Sequence, residues 1–344
     1  MTETKTLTIH DIARIADVSP TTVSFVMNDK NGISDETRKR VLDVIEKTGF
    51  TPNAHTRRLN LGKSFNVSVV MQSQASGLMD LYYLDIIFGI LQESKTLGYS
   101  VLFATLDNEE DQTILLRTIN DKSTDGLIFF MDLDPHTLWF VKESRIPFMV
   151  VDSHLTDDDI YPQLRVDYKK ISYMATDYLI KSGHERIAFI SRKQSPNYYT
   201  ITFEGYKNAL VQSGLHLEPS WIQPDAFDEE SAYKCMNNIL SSNSDRPTAV
   251  FCAGDIYAIG AMKCAKEHGL SIPDDISFIG IDDIIVSSYI EPALTTVSVN
   301  EKEMGQKTMR MMFDILNNNI QTPATNSIEN MNGVIIERGS VRHY

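Results

Sequence analysis

The sequence predicts an α/β protein in which a small all-helical module precedes a body of doubly wound parallel sheets in two lobes. Three observations carry that prediction: charge divides between a short and a long segment, three capped helical patterns fill residues 1–50, and short apolar runs alternate with amphipathic stretches from residue 65 onward. The chain has 344 residues, enough for about two domains at ~150 residues each. Its 42% hydrophobic and 23% charged residues exclude a disordered or fibrous protein.

The formal charge of −14 argues, taken globally, against a nucleic-acid partner. Residues 1–64, however, hold 10 Lys and Arg against 8 Asp and Glu, leaving 22 against 38 for the rest. The acidity belongs to the long segment. In the short one, Arg38, Lys39 and Arg40 form one basic knot and Arg57, Arg58 and Lys63 another, as in a module with its own partner.

Helix one is expected to start at the N-cap Thr8 with Asp11 three residues on, and to bury Ile9, Ile12, Ala13 and Ala16. Ser19 caps helix two, Pro20 takes its first position, and Val23, Val26 and Met27 face inward. Ser34 caps helix three, Val41, Leu42, Val44 and Ile45 give its apolar stripe, and Gly49 ends it. Two short helices joined tightly with a third behind read as a helix-turn-helix, or as a plain helical bundle. The outward face of helix two favours the former. Pro20, Thr21, Thr22, Ser24 and Phe25 suit base and phosphate reading better than a solvated Lys/Glu face does.

In the body, residues 67–71, 101–104, 127–130 and 148–151 read as strands with helices at 84–97, 110–119 and 135–143 between them. A second set comprises helices at 171–181, 202–212, 229–240 and 257–268 and strands at 187–191, 249–252 and 277–280. Such alternation predicts parallel sheets covered on both faces, with ligand at the carboxyl ends of the strands between two lobes.

Four motifs in register, LTIHDIA at 7–13, DVSPTTVSFVMN at 17–28, SDETR at 34–38 and GFTPNA at 49–54, resemble the headpiece of the LacI/GalR family of bacterial transcription regulators. The body resembles the same family in FCAGD at 251–255, GAM at 260–262, IPDDIS at 272–277, GIDD at 280–283 and PALTTV at 292–297. The resemblance covers nearly the whole chain. It implies a headpiece at 1–50, a hinge helix and linker at 51–64 and a periplasmic-binding-protein-like core at 65–344 for effector binding and dimerisation. Lobe 1 would span about 65–164 and 295–323, lobe 2 about 165–293 and 324–340, with crossovers near Arg165, Ala293 and Ala324.

For DNA the resemblance implies that helix two enters the major groove, with Pro20, Thr21 and Phe25 at base-contact positions and Ser19, Thr22, Ser24 and Asn28 beside them. Residues 53–60, including Asn53, would form a minor-groove hinge helix in which Leu59 wedges between base pairs while Arg57 and Arg58 hold phosphates or the groove edge. Phe25 stands where many relatives carry Arg or His. A ring cannot make Arg's bidentate bond to guanine, so contact with a thymine methyl or a pyrimidine edge is expected there.

For the effector, Asp152 and Asp282 match carboxylates that accept hydrogen bonds from sugar hydroxyls or purine nitrogens. Tyr82 and Tyr83 match aromatics that cover a ring face, Phe227 would do so from the other lobe, and Asp255 belongs to the matching FCAGD motif. Packing under helices or capping are the competing readings of these residues. Thr202 stands where many relatives carry an effector-gripping arginine, which disfavours an anionic effector; Arg192 is a substitute donor.

The expected partners are a pseudo-palindromic double-stranded operator, a carbohydrate-like small molecule and a second copy of the chain, in a bacterial cytoplasm. Sparse, widely spaced Cys235, Cys252 and Cys264 fit a reducing compartment, and no apolar run reaches the ~20 residues of a membrane span. Neither a phosphate-binding glycine loop, a nucleophile elbow nor a ligand-spaced His pair occurs. No catalytic residue, metal or cofactor is therefore expected, and the acidic run 157–159 reads as a solvated loop. A solute receptor or a sugar-modifying enzyme on the same fold, without DNA function, is the alternative.

Overall fold

The computed structural model describes residues 7–27, 30–50, 62–72, 81–130, 132–154, 161–193, 196–242, 245–317 and 328–344. The chain divides into two compact units, Met1–Phe65 and Asn66–Tyr344.

In the first unit α1 (Ile9–Ala16) opens on a capping box: the Asp11 amide donates to Thr8 Oγ1, and the Thr8 amide donates to Asp11 Oδ2 at 3.0 Å. The α2 helix (Pro20–Met27) follows, with the Thr22 amide donating to Ser19 Oγ at 3.0 Å. The third, α3 (Asp35–Thr48), is capped by Ser34 and closed by Gly49 in the left-handed conformation, φ +60°. Ile12, Ala13, Ala16, Val23, Val26, Val41 and Phe50 form its core. One expected member is missing. Leu42 is 48% exposed because it lies a third of a turn from the Val41–Ile45 face.

In the second unit, two six-stranded sheets form among the described residues. Lobe 1 is built on β1 (Asn66–Met71), β2 (Ser100–Thr105), β3 (Gly126–Phe129), β4 (Phe148–Val151), β5 (Gln163–Val166) and β11 (Ile328–Met331), in the order β11-β5-β4-β3-β1-β2, all parallel. Lobe 2 has β6 (Ile187–Ile190), β7 (Ile222–Gln223), β8 (Ala249–Cys252), β9 (Ser277–Ile281), β10 (Thr295–Ser298) and β12 (Val334–Ile336), in the order β12-β10-β9-β8-β6-β7. Only β12 pairs antiparallel. The fully buried runs of β1, β3, β6, β8 and β9 are those of strands covered on both faces.

Helices α4 (Leu81–Leu97), α5 (Glu109–Asn120) and α6 (Pro135–Ser144) alternate with the strands of lobe 1; α7 (Tyr168–Lys181), α8 (Pro196–Gln212), α9 (Glu229–Ser241) and α10 (Asp255–Glu267) serve lobe 2. The last, α11 (Glu301–Leu316), packs on α4, β3 and β4 and so returns to lobe 1. The chain therefore crosses between lobes after β5, between β10 and α11, and between β11 and β12. The second and third crossings lie downstream of Ala293 and Ala324, and the lobe limits shift with them. Thr295–Ser298 pairs with β9 in sheet two and Ile328–Met331 with β5 in sheet one; the sequence does not mark either, because Thr-rich β10 and polar β11 carry no apolar run.

Close helix crossings occur on glycine. A Cβ on Gly305 of α11 would overlap the Ile86 carbonyl of α4, one on Gly205 of α8 the Lys169 carbonyl of α7, and one on Gly260 of α10 the Glu229 carbonyl of α9. Glu93 and Arg310 add a two-bond ion pair across α4 and α11, both contacts at 2.9 Å.

Candidate DNA-reading headpiece and ligand cleft

In the headpiece, Ser19 and Thr21 of the expected reading set are exposed, while Pro20, Thr22, Ser24 and Phe25 are half-buried. Ser19 and Thr22 hold each other through a 2.9 Å hydroxyl pair. The Lys30 ammonium sits 5.4 Å from the Phe25 ring centroid, a cation–π contact that brings positive charge beside this ring. Arg38 donates to the Lys30 carbonyl at 2.8 Å, tying the start of α3 to the segment after α2. Asn28, Asn53, Arg57, Arg58 and Leu59 lie outside the described residues.

In the second unit a cleft is lined by Tyr82, Tyr83, Asp152, His154, Tyr168, Arg192, Tyr198, Ala253, Gly254, Ile256, Tyr257 and Asp282. Strand ends explain the convergence: β4 delivers Asp152 and His154 from lobe 1, while β6, β8 and β9 of lobe 2 deliver Arg192, Ala253 and Asp282. Asp152 is 5% exposed, at φ +59°, and accepts a 2.9 Å bond from the Tyr168 hydroxyl. Burial raises its pKa, against the pull of His154, whose Nε2 lies 3.9 Å away, and of Tyr168. The His154 ring packs against both Tyr168 and Tyr198, at centroid distances of 5.3 and 4.9 Å, and the two tyrosine rings are themselves 4.8 Å apart. Tyr82 is buried beneath Tyr168, and Tyr83 stacks on Phe130 at 5.3 Å. Burial holds the Tyr82 and Tyr168 hydroxyls well above the usual tyrosine range, so both remain donors.

Three residues expected in the site stand elsewhere. Thr202 is fully buried, its hydroxyl donating to the Tyr198 carbonyl at 2.8 Å. The helix expected to begin there starts at Pro196, so Tyr198, one turn earlier, reaches the cleft instead. Phe227 is 51% exposed and outside the cleft lining; its amide donates to Ser231 Oγ at the start of α9. Asp255 is fully buried behind the cleft, accepting from Ser287 Oγ at 2.6 Å, Thr296 Oγ1 at 2.5 Å and the Ile284 amide at 3.1 Å. Sequence reading missed His154, Tyr168, Tyr198 and Tyr257. His154 follows Asp152 by two residues beyond a strand end, a spacing that could have marked it; the tyrosines carry no local signal separate from packing.

Burial pushes Asp255 up to about 7 in spite of its three donors, and Glu301 up to about 7 as well. A raised carboxyl pKa means that the folded state holds protons which the unfolded state has released. Their contribution to stability is complete below the ordinary values of 3.8 and 4.5 and is lost as pH rises through about 7. Asp255→Asn is expected to flatten the fall in melting temperature across that window; a variant profile parallel to the unmutated one would exclude Asp255 as its source.

Residues 8–53 match the family described as bacterial regulatory proteins, lacI family, and residues 176–341 the periplasmic binding protein-like domain. The chain is 31% identical over 314 residues to the HTH-type transcriptional repressor PurR of Pasteurella multocida, covering 90% of this chain and 92% of that protein. The chain belongs to the LacI family. Catabolite control protein A of Priestia megaterium is likewise 31% identical over 90% of the chain and 93% of its own length. Among solved structures, the lac repressor dimer bound to operator and the anti-inducer ONPF aligns with a TM-score of 0.79 at 23% identity, covering 98% of this chain and 100% of that one. This LacI-family chain is thus a DNA-binding transcriptional regulator and not an enzyme. No helix among its described residues is long and apolar enough to cross a membrane.

Proposed function

We propose that this regulator acts in the bacterial cytoplasm as a homodimer on a pseudo-palindromic operator and that an uncharged, hydroxyl-rich carbohydrate in the cleft controls it. The observation that carries the ligand class is the pairing of Asp152 from lobe 1 with Asp282 from lobe 2 around a tyrosine-lined cleft. Two carboxylates facing one ligand repel an anion and accept from hydroxyls, tyrosine rings cover an apolar sugar face, and Arg192 supplies a donor. Ligand contacts from both lobes make affinity depend on the angle between them. Such coupling is worth about 1–3 kcal/mol. In the headpiece, Ser19, Pro20, Thr21, Thr22, Ser24, Phe25 and Asn28 form the reading set, and Asn53, Arg57, Arg58 and Leu59 the hinge contacts. Two linked headpieces raise local concentration at the paired half-sites without new contacts.

A thermal-shift panel tests the ligand class. Cellobiose and ribose, the ligands of two structurally similar regulators, are set against sugar phosphates and nucleobases. A rise in melting temperature with a neutral sugar is expected, and a rise with sugar phosphates alone would overturn the reading. Operator selection on the same protein is expected to return paired half-sites with thymine or another pyrimidine opposite Phe25. A guanine enriched there would exclude the proposed contact.

A further inference from the structure

Asp282 reaches the cleft on a backbone that L-residues resist. Its φ is +109° and that of Asp283 is +47°, side by side at the end of β9. Something must hold this pair against relaxation, and the structure shows two clamps behind it. The Asp282 amide first donates to the Val297 carbonyl at 2.9 Å, fastening the loop to β10. Arg338, just past β12, then donates through NH2 to Asp283 Oδ1 at 2.5 Å, through NH1 to the Leu294 carbonyl at 2.8 Å, and through its amide to Thr295 Oγ1 at 2.9 Å. A planar guanidinium holds these two donors in one fixed plane, whereas an ammonium's donors rotate freely on a flexible stem. The Arg338 and Asp283 side chains are 19% and 24% exposed, so water competes weakly for the pair.

Asp255 is the second clamp. Its Oδ2 takes the Ile284 amide, immediately after the strained pair, and its Oδ1 takes the Thr296 hydroxyl, whose oxygen in turn accepts the Asp283 amide at 3.4 Å. The carboxylate fits because Gly280 has no side chain: a Cβ there would overlap Asp255 Oδ1.

We propose that Arg338 and Asp255 are positioning residues that hold the Asp282 carboxylate in the ligand cleft. The inference rests on the reading of Asp282 as a ligand contact. It also ties the ligand contact to the crossings between the two lobes, since Arg338 follows the β11–β12 crossing and the Leu294 and Thr295 it grips precede the β10–α11 crossing.

The test combines hydrogen exchange on the full-length, ligand-free protein with calorimetric binding of cellobiose and ribose. In Arg338→Met, deuterium uptake is expected to rise over residues 282–284 while residues 187–190 of β6 stay unchanged. Affinity for whichever probe binds the unmutated protein is expected to fall about tenfold, the size of a lost hydrogen bond to a charged group. Arg338→Lys, which keeps the charge and loses the fork, should recover part of both effects and serves if the methionine variant folds poorly. Asp255→Asn, with one acceptor oxygen in place of two, should raise uptake at Ile284. Unchanged uptake at 282–284, or a uniform rise over the whole body, overturns the proposal. So does a loosened loop with undiminished affinity. If neither sugar binds the unmutated protein, the carbohydrate reading falls, and uptake still decides whether the two residues hold the loop.

Discussion

Replacing Gly305 by alanine is expected to lower the stability of the second unit by about 3 kcal/mol, the upper end of what overpacking costs, because the clash is with main chain on a facing helix. The added methyl would overlap the Ile86 carbonyl and crowd the Gly89 Cα, neither of which can rotate away as a side chain does. Relief requires α11 to lift from α4, which strips buried Met304, Met309 and Met312 of packing. Urea unfolding measures the loss. Gly269→Ala is the control: its φ is +77° with no neighbour within 4 Å of a Cβ, so it should cost only the left-handed backbone, about 1 kcal/mol. Equal losses at the two positions would show that α4 and α11 separate without cost.

The second large effect separates the two halves of function. Asp282→Asn is expected to weaken binding of the strongest stabiliser from the thermal-shift panel by about ten- to a hundredfold, since a hydrogen bond to a charged acceptor contributes about 1.5–3 kcal/mol. Operator affinity of the ligand-free protein should change little. Leu59→Ala should do the reverse: an unstacking wedge would be gone, and with it the bent site that extra contacts require. Calorimetry with the sugar and salt-titrated operator binding on both variants give the four numbers needed. Parallel losses in both variants would refute the division of labour.

Much of the headpiece was legible in sequence because its determinants are local. Thr8 with Asp11, Ser19 with Pro20, Ser34 and Gly49 act on neighbours within one turn, and all stand where their spacing predicts. The buried strands β1, β3, β6, β8 and β9 were legible for a related reason, since a strand covered on both faces reads as a nearly continuous apolar run. β10 and β11 escaped because their stability comes from partners far along the chain. Thr295 and Thr296 are wholly buried without being apolar, their hydroxyls paired with Arg338 and Asp255. Asp255 itself was visible as a motif residue, but the motif does not say which side of the strand end its carboxylate faces.

The sequence by itself determined the two-part organisation, the family, and the sharing of charge between a slightly basic reader and a strongly acidic body. Those properties are sums over residues or patterns between near neighbours. Tertiary structure alone decided which polar groups face the cleft. It placed Tyr198 there in place of Thr202 through a helix that begins at Pro196, added His154 and Tyr168 around Asp152, and put Asp255 behind Asp282 as its support. Facing and burial arise where strand ends from both lobes converge, and no interval along the chain encodes that meeting point.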